Sequence, residues 1–285
     1  MTCKRNKQMS SQVFKDDTLQ QEFDRNGYVL VPFLDADEVK SLKTIYNRLP
    51  PPTAAMESSS YRKDIPNLAE IDQQARQVFH KPVERFFQDY RCLGTNFITK
   101  PPKQDPNDSK LALHQDWTLV DEERYSTLVC WVPLQDTTFH NGAFQLIPGS
   151  HLFSNALRCP SLPPSFRNIT EELAPLIETI SMKAGEALIF TLALIHCSPP
   201  NSSENIRIAA TYGLVPKEAE LSMYYANDDN DELHQYAMPD DMFFRFPEIL
   251  TKGEVGSFLK TFKYVAPELN MEMVKKALEN KQEFD

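Results

Sequence analysis

LALHQDW, residues 111–117, is the stretch that decides the fold. Side chains alternate between the two faces of an extended chain, so His114 and Asp116 share a face and bring an imidazole and a carboxylate to one point. Such a pair is two ligands of a metal site. The best candidate for a third is His196, which ends the apolar run ALIFTLALIH at residues 187–196. A lone His-x-Asp is more often an ordinary hydrogen-bonded or surface pair, so the weight falls on the pattern around it.

Two imidazoles and one carboxylate occupy one face of an octahedral ion and leave the other open, as in non-haem Fe(II) oxygenases. Eleven residues after His196 comes Arg207, at the start of IRIAATYGLV (206–215), with the turn-forming SPPNSSEN (198–205) between them. A hairpin symmetric about Asn201 and Ser202 places His196 opposite Arg207 on one face. A guanidinium beside a metal ligand suits a bidentate grip on a carboxylate, so the pattern predicts a metal and an acid co-substrate side by side.

The blocks HQDW (114–117), VCWVPLQD (129–136), NGAFQLIPGSH (141–151), LIHCSPP (194–200) and Arg207 together resemble the phytanoyl-CoA dioxygenase family of Fe(II)- and 2-oxoglutarate-dependent oxygenases, over roughly residues 17–215. The resemblance implies a mainly β fold, a double-stranded β-helix (jelly-roll, cupin-like) core with flanking α-helices. It makes His114, Asp116 and His196 the iron ligands and the catalytic centre. Arg207 would bind the distal carboxylate of 2-oxoglutarate, with Gln115, Trp131 and Asn96 as further co-substrate contacts. The implied reaction consumes O₂ and 2-oxoglutarate, releases succinate and CO₂, and hydroxylates an unactivated C–H. Related halogenases carry a small residue where this chain has Asp116, so the carboxylate favours hydroxylation, desaturation or ring closure over halogenation.

The chain of 285 residues can bury a sizeable core, and 41% apolar with 25% charged residues is ordinary for a globular protein. The formal charge of −10 argues against nucleic-acid and anionic-membrane partners, and mildly against a coenzyme A ester. The start MTCKRNKQMSSQ has no apolar h-region and the final QEFD is no peroxisomal address, so the expected location is cytoplasmic. Cys3, Cys92, Cys130, Cys159 and Cys197 lack CxxC spacing and read as reduced thiols.

Residues 1–15 read as a disordered tail and 16–285 as a single domain, with core strands over about 91–216 and an aromatic, acidic segment and helix over 217–285. Helices are expected over residues 17–25, 36–49 after an Asp35 N-cap, 67–90 and 267–284. Short β-rich segments fill 27–33, 92–99 and 111–215. Ser58, Ser59 and Ser60 read as surface loop, residues 153–168 as a lid or binding loop, and the acidic run 228–232 as a solvated loop. Trp117, Tyr212, Tyr224 and His234 are candidate substrate contacts, with Tyr225 and Phe243 beside them. His80 falls on a helix, His140 in a turn, and His151 suits a structural hydrogen bond.

The leading expectation is a hydroxylase of a small metabolite or natural-product intermediate, monomeric or dimeric. Desaturation or cyclisation, an acyl-CoA or carrier-bound substrate, a cupin-type enzyme using another divalent ion, and a silent 2-oxoglutarate sensor remain open. A zinc hydrolase has no HExxH helix here and leaves Arg207 unexplained.

Overall fold

The computed structural model describes residues 12–282 apart from 104, 228, 230 and 253–255. Its strands are β1 (Tyr28–Pro32), β2 (Glu57–Ser58), β3 (Tyr90–Lys100), β4 (Leu111–His114), β5 (Leu128–Pro133), β6 (Phe144–Leu146), β7 (Glu178–Ile180), β8 (Glu186–Thr191), β9 (His196–Ser198), β10 (Arg207–Pro216), β11 (Ser222–Ala226), β12 (Glu232–Ala237) and β13 (Ser257–Lys263). The helices are α1 (Asp17–Asn26), α2 (Ala36–Tyr46), α3 (Leu68–Phe86), α4 (Pro106–Ser109), α5 (Thr170–Leu173), α6 (Phe246–Lys252) and α7 (Met271–Gln282). None is long and apolar enough to cross a membrane among the described residues.

Two antiparallel sheets make the expected jelly roll: a six-stranded sheet in the order β1-β8-β5-β10-β3-β2 and a four-stranded sheet in the order β4-β9-β6-β7. The period of two assigns each face of the larger sheet. Cys130, Val132, Ile189, Ala210 and Tyr212 turn outward onto Leu42, Ile71 and Phe79 of α2 and α3. Trp131, Leu188, Phe190 and Ala209 turn inward and meet Phe144 and Leu146 of the smaller sheet. Local signals set the helices: Asp35 and Glu38 close a capping box on α2, and α1 stops at Gly27 with φ 79°.

Five sequence readings change. Val13 and Phe14 are fully buried, and Phe14 bridges Phe87, so the chain is docked before residue 15; the rest of the expected tail, 1–11, lies outside the described residues. Ser58, Ser59 and Ser60 are no surface loop. They form the edge of the larger sheet and a 3₁₀ turn in which Ser59 and Ser60 are buried. The apolar run 187–196 is two strands, because the chain turns a corner between sheets at 192–195 and His196 opens β9. His196 and Arg207 are therefore not hairpin partners: β9 lies in one sheet and β10 in the other. Beyond residue 216 a third sheet, β11-β12-β13, stands in the aromatic, acidic segment for which no strands were expected, ahead of the closing helix α7. Part of the acidic run, 228 and 230, lies outside the described residues.

Candidate active site

β4 and β9 pair antiparallel with His114 directly opposite His196, and the ring centroids stand 4.1 Å apart. Each Nδ1 lies against a carbonyl oxygen two residues back, Ala112 at 2.8 Å and Leu194 at 2.9 Å. A carbonyl only accepts, so both hydrogens sit on Nδ1 and both Nε2 lone pairs are left for a metal. Phe144 stacks on the His196 ring at 5.0 Å and 13°, which fixes its plane. Burial, with the His114 imidazole next to it, pushes the His196 imidazole down to about 4 and keeps it neutral, the form that ligates.

Asp116 lies past the end of β4, not on it, because the strand stops at His114. Its place is fixed from two sides instead. Its N–H donates to the Leu192 carbonyl at 3.1 Å, and Nε of Arg158 donates to its carbonyl oxygen at 2.7 Å. Arg158 is held in turn by both carboxylate oxygens of Glu122. The segment 153–168, expected as a lid, thus supplies a brace. A carboxylate oxygen of Asp116 comes within 3.9 Å of His114 Nε2, and one ligand atom from each of His114, Asp116 and His196 lies within 4.8 Å of the others. One acid and two imidazoles in that cluster suit a divalent first-row ion, with His114 and Asp116 partly open and His196 buried.

Arg207 faces the same cavity from the larger sheet. Its side chain is 2% exposed, its guanidinium carbon sits 5.5 Å over the Trp131 ring, Nη1 donates to the Ile98 carbonyl at 3.1 Å, and Nε has no hydrogen-bond partner among the described residues. Burial pulls its pKa down to about 9. Directly across the β3–β10 ladder is Lys100, fully buried. Its ammonium donates to Ser198 Oγ at 2.7 Å and to the Pro199 carbonyl at 2.6 Å, and burial, with Arg207 adding to it, pulls the pKa down to about 7. No carboxylate pairs with either cation among the described residues. Two buried cations on opposed strands without an acid are costly alone, and an anionic ligand relieves that cost. Gly142, at φ 81°, leaves room for the lysine: a Cβ there would lie 3.0 Å from Lys100 Cδ and 3.2 Å from the Pro199 carbonyl oxygen.

A cavity of about 400 Å³ joins the two halves. Gln115, Asn96, Trp131 and Trp117 line it. Gln115 donates its amide to the Ala193 carbonyl at 2.5 Å, and Asn96 is bonded to Ser58, Ser59 and Ser60, so both shape the wall. Three proposed substrate contacts lie elsewhere. Tyr212 has the opposite parity to Arg207 and packs outward on Phe79 at 5.1 Å. Tyr224 lines a separate cavity beside Asp121 and Glu122, and His234 sits on β12 against Phe258. Lys100, Arg158 and Ser58 to Ser60 were missed; the register of β3 against β10 would have flagged Lys100, but pairing is not written in one strand.

The phytanoyl-CoA dioxygenase family model matches residues 23–209. The dioxygenase trt7 of Aspergillus terreus is 37% identical over 111 residues, 36% of this chain and 35% of that protein. A phytanoyl-CoA dioxygenase domain-containing protein 1 homolog of Dictyostelium discoideum is 27% identical over 125 residues, 41% of this chain and 44% of its own. The matches thus span less than half the length of these relatives. Among solved structures, the non-heme alpha ketoglutarate dependent carbocyclase SnoK from nogalamycin biosynthesis superposes with a TM-score of 0.52 at 16% identity, over 72% of this chain and 86% of that one. HygX from Streptomyces hygroscopicus, with nickel, 2-oxoglutarate and hygromycin B bound, gives 0.50 at 21%, over 69% and 85%. At these identities the likeness is one of fold.

Proposed function

The chain belongs to the phytanoyl-CoA dioxygenase family, and from that footing we propose that it is an Fe(II)- and 2-oxoglutarate-dependent dioxygenase that hydroxylates an unactivated C–H of a small molecule. The observation that carries this reading is the pairing of two features across one cavity. Two Nε2 atoms and a carboxylate converge on one side, and a buried guanidinium with no acid partner among the described residues stands on the other. Neither feature explains itself in a purely structural protein, since an unpaired buried cation destabilises the fold that carries it.

His114, Asp116 and His196 would hold the iron, as a donor set of that composition does. Bound iron supplies the activation of dioxygen, coupled to decarboxylation of the keto acid. The remaining work belongs to the chain. Arg207, itself seated over Trp131, would donate to the distal carboxylate and so hold the keto acid in one orientation. Phe144 and Phe190 hold the His196 ring and shield it from bulk water. Ser58 and Ser60 lock the Asn96 amide, so the floor of the cavity is preset. A carboxylate at Asp116, where related halogenases carry a small residue, would favour hydroxylation, desaturation or ring closure over halogenation.

The test is anaerobic titration with Fe(II) and 2-oxoglutarate, read by the weak visible charge-transfer band, followed by succinate release in air. The band should form in the native chain and vanish in His114→Ala. A native chain that binds the keto acid without ever forming succinate would instead be a sensor, and one showing no band at all uses another metal chemistry.

A further inference from the structure

We propose that the substrate of this site is an uncharged, carbon-rich molecule, whose reacting end enters the cavity while its body lies on a collar of four aromatic rings, Tyr61, Trp117, Phe243 and Phe246. The inference rests on the oxygenase reading for the roles of the charged residues and on the cavity wall for the rest. His114, Asp116, His196 and Arg207 are the only ionisable acids, imidazoles or cations that line the cavity among the described residues, and all four are assigned to iron or keto acid. A phosphate, sulfate, carboxylate or ammonium on the substrate would be desolvated there without a counter-ion, which is strongly unfavourable. Lys100, paired across the ladder with Arg207, is not in the wall and is bonded to Ser198 and Pro199. The neutral amides of Asn96 and Gln115 are engaged with the protein as well. The net charge of −10 works in the same direction, against a polyanion approaching from solution.

The collar gives the positive half of the argument. Phe246 is its hub, with ring centroids 5.4 Å from Tyr61, 6.0 Å from Trp117 and 5.4 Å from Phe243. Tyr61 is 48% exposed, which puts that ring at the rim. The seat of Phe243 is built into β3: a Cβ on Gly94 would fall 2.3 Å from its ring carbons, so only glycine lets the ring lie flat on the strand. Apolar surface of this kind binds through area removed from water and through ring contacts, both indifferent to charge. Size fits too. About 400 Å³ is at the lower end of the roughly 300–1000 Å³ usual for ligand cavities, and the keto acid shares it, so a bulky substrate enters only in part. Phe243 and Phe246 fall beyond the residues 23–209 that match the family, whereas Tyr61 and Trp117 fall within them, so the collar combines two rings from the matched segment with two from outside it.

The experiment compares matched neutral and charged probes on the full chain with Fe(II) and 2-oxoglutarate under anaerobic conditions, by calorimetry: geraniol against geranyl diphosphate, androsterone against androsterone sulfate, and 1-decanol against decanoyl-coenzyme A. The neutral member should bind at least about tenfold more tightly in each pair that binds, and lose about tenfold in Phe246→Ala and less in Phe243→Leu. A pair in which the charged member binds as tightly or more tightly overturns the inference, as does failure of all three neutral probes to bind. The keto acid is titrated on the same samples. Its failure to bind removes the oxygenase reading but leaves the charge comparison readable, and its retention in both variants shows that they are folded.

Discussion

The two sheets build the two halves of the site from opposite materials. β10 is buried at all ten of its positions and carries Arg207 at one end, whereas β4 has no buried residue and carries His114 at its own end. The anion half is therefore part of the hydrophobic core, and any change there is felt by the fold as well as by the ligand. The metal half sits on strands of three or four residues, braced by Arg158 and by Phe144, and its two half-exposed members, His114 and Asp116, can be removed at little structural cost, unlike the buried His196. Chemistry and stability are thus separable on one side of the cavity and entangled on the other.

The largest separation should appear in Asp116→Ala. Succinate formation should fall by about a thousandfold or more, because the metal loses its one anionic ligand, while the melting temperature of the metal-free protein should shift by no more than about 2 °C. The side chain is 36% exposed, so the fold loses little with it. A melting temperature that drops with activity would mean that the metal half is as entangled as the other.

Arg207→Gln probes the anion half, with a smaller loss of function and a reversed effect on stability. The Kd for 2-oxoglutarate should rise by about a hundredfold, in keeping with loss of a bidentate, charge-assisted pair. The ligand-free variant should melt no lower than the native chain, since it no longer buries a cation whose Nε is unbonded. Thermal denaturation with and without the keto acid checks both at once, and a ligand-free variant that melts well below the native chain would show that Arg207 is a structural residue first.

The same contrast explains what the sequence could and could not disclose. The convergence of His114, Asp116 and His196 was legible because a metal-ligand pattern uses few residue types, and the presence of Arg207 on the same cavity because a guanidinium followed the second imidazole at short range. Alternation within LVCWVP correctly separates Trp131 from Cys130 and Val132, and it would equally have excluded Tyr212, five positions from Arg207 and so on the other face. The pairing of His196 was misread because a symmetric turn at SPPNSSEN looks like a hairpin, whereas the chain crosses there from one sheet to the other. Asp116 was placed on a strand that ends two residues earlier. Its true supports, Leu192 and Arg158, are some 40 to 80 residues away in sequence, and no local pattern records them. The third sheet escaped for a related reason: β13 is exposed at six of its seven positions, so its sequence lacks the alternation that marks a half-buried strand.

The smallest and most specific effect belongs to Lys100, which joins the halves by bonding from β3 to Ser198 of β9. Its pKa is lowered from 10.5 to about 7 in the folded chain, so over that window the unfolded chain binds more protons and stability rises with pH; below about 7 both states are protonated and the buried charge counts fully against the fold. The keto acid responds in the opposite sense, because an anion near Arg207 gains from a protonated Lys100 and loses that gain as the proton leaves. The 2-oxoglutarate Kd of the native chain should therefore weaken by several-fold between about pH 6.5 and about pH 8.5, while that of Lys100→Met should be weaker at the acid end and nearly flat across the same interval. Parallel pH profiles for the two proteins would place the ammonium outside the field of the bound carboxylate, and would leave Lys100 as a tie between the sheets that the ligand never senses.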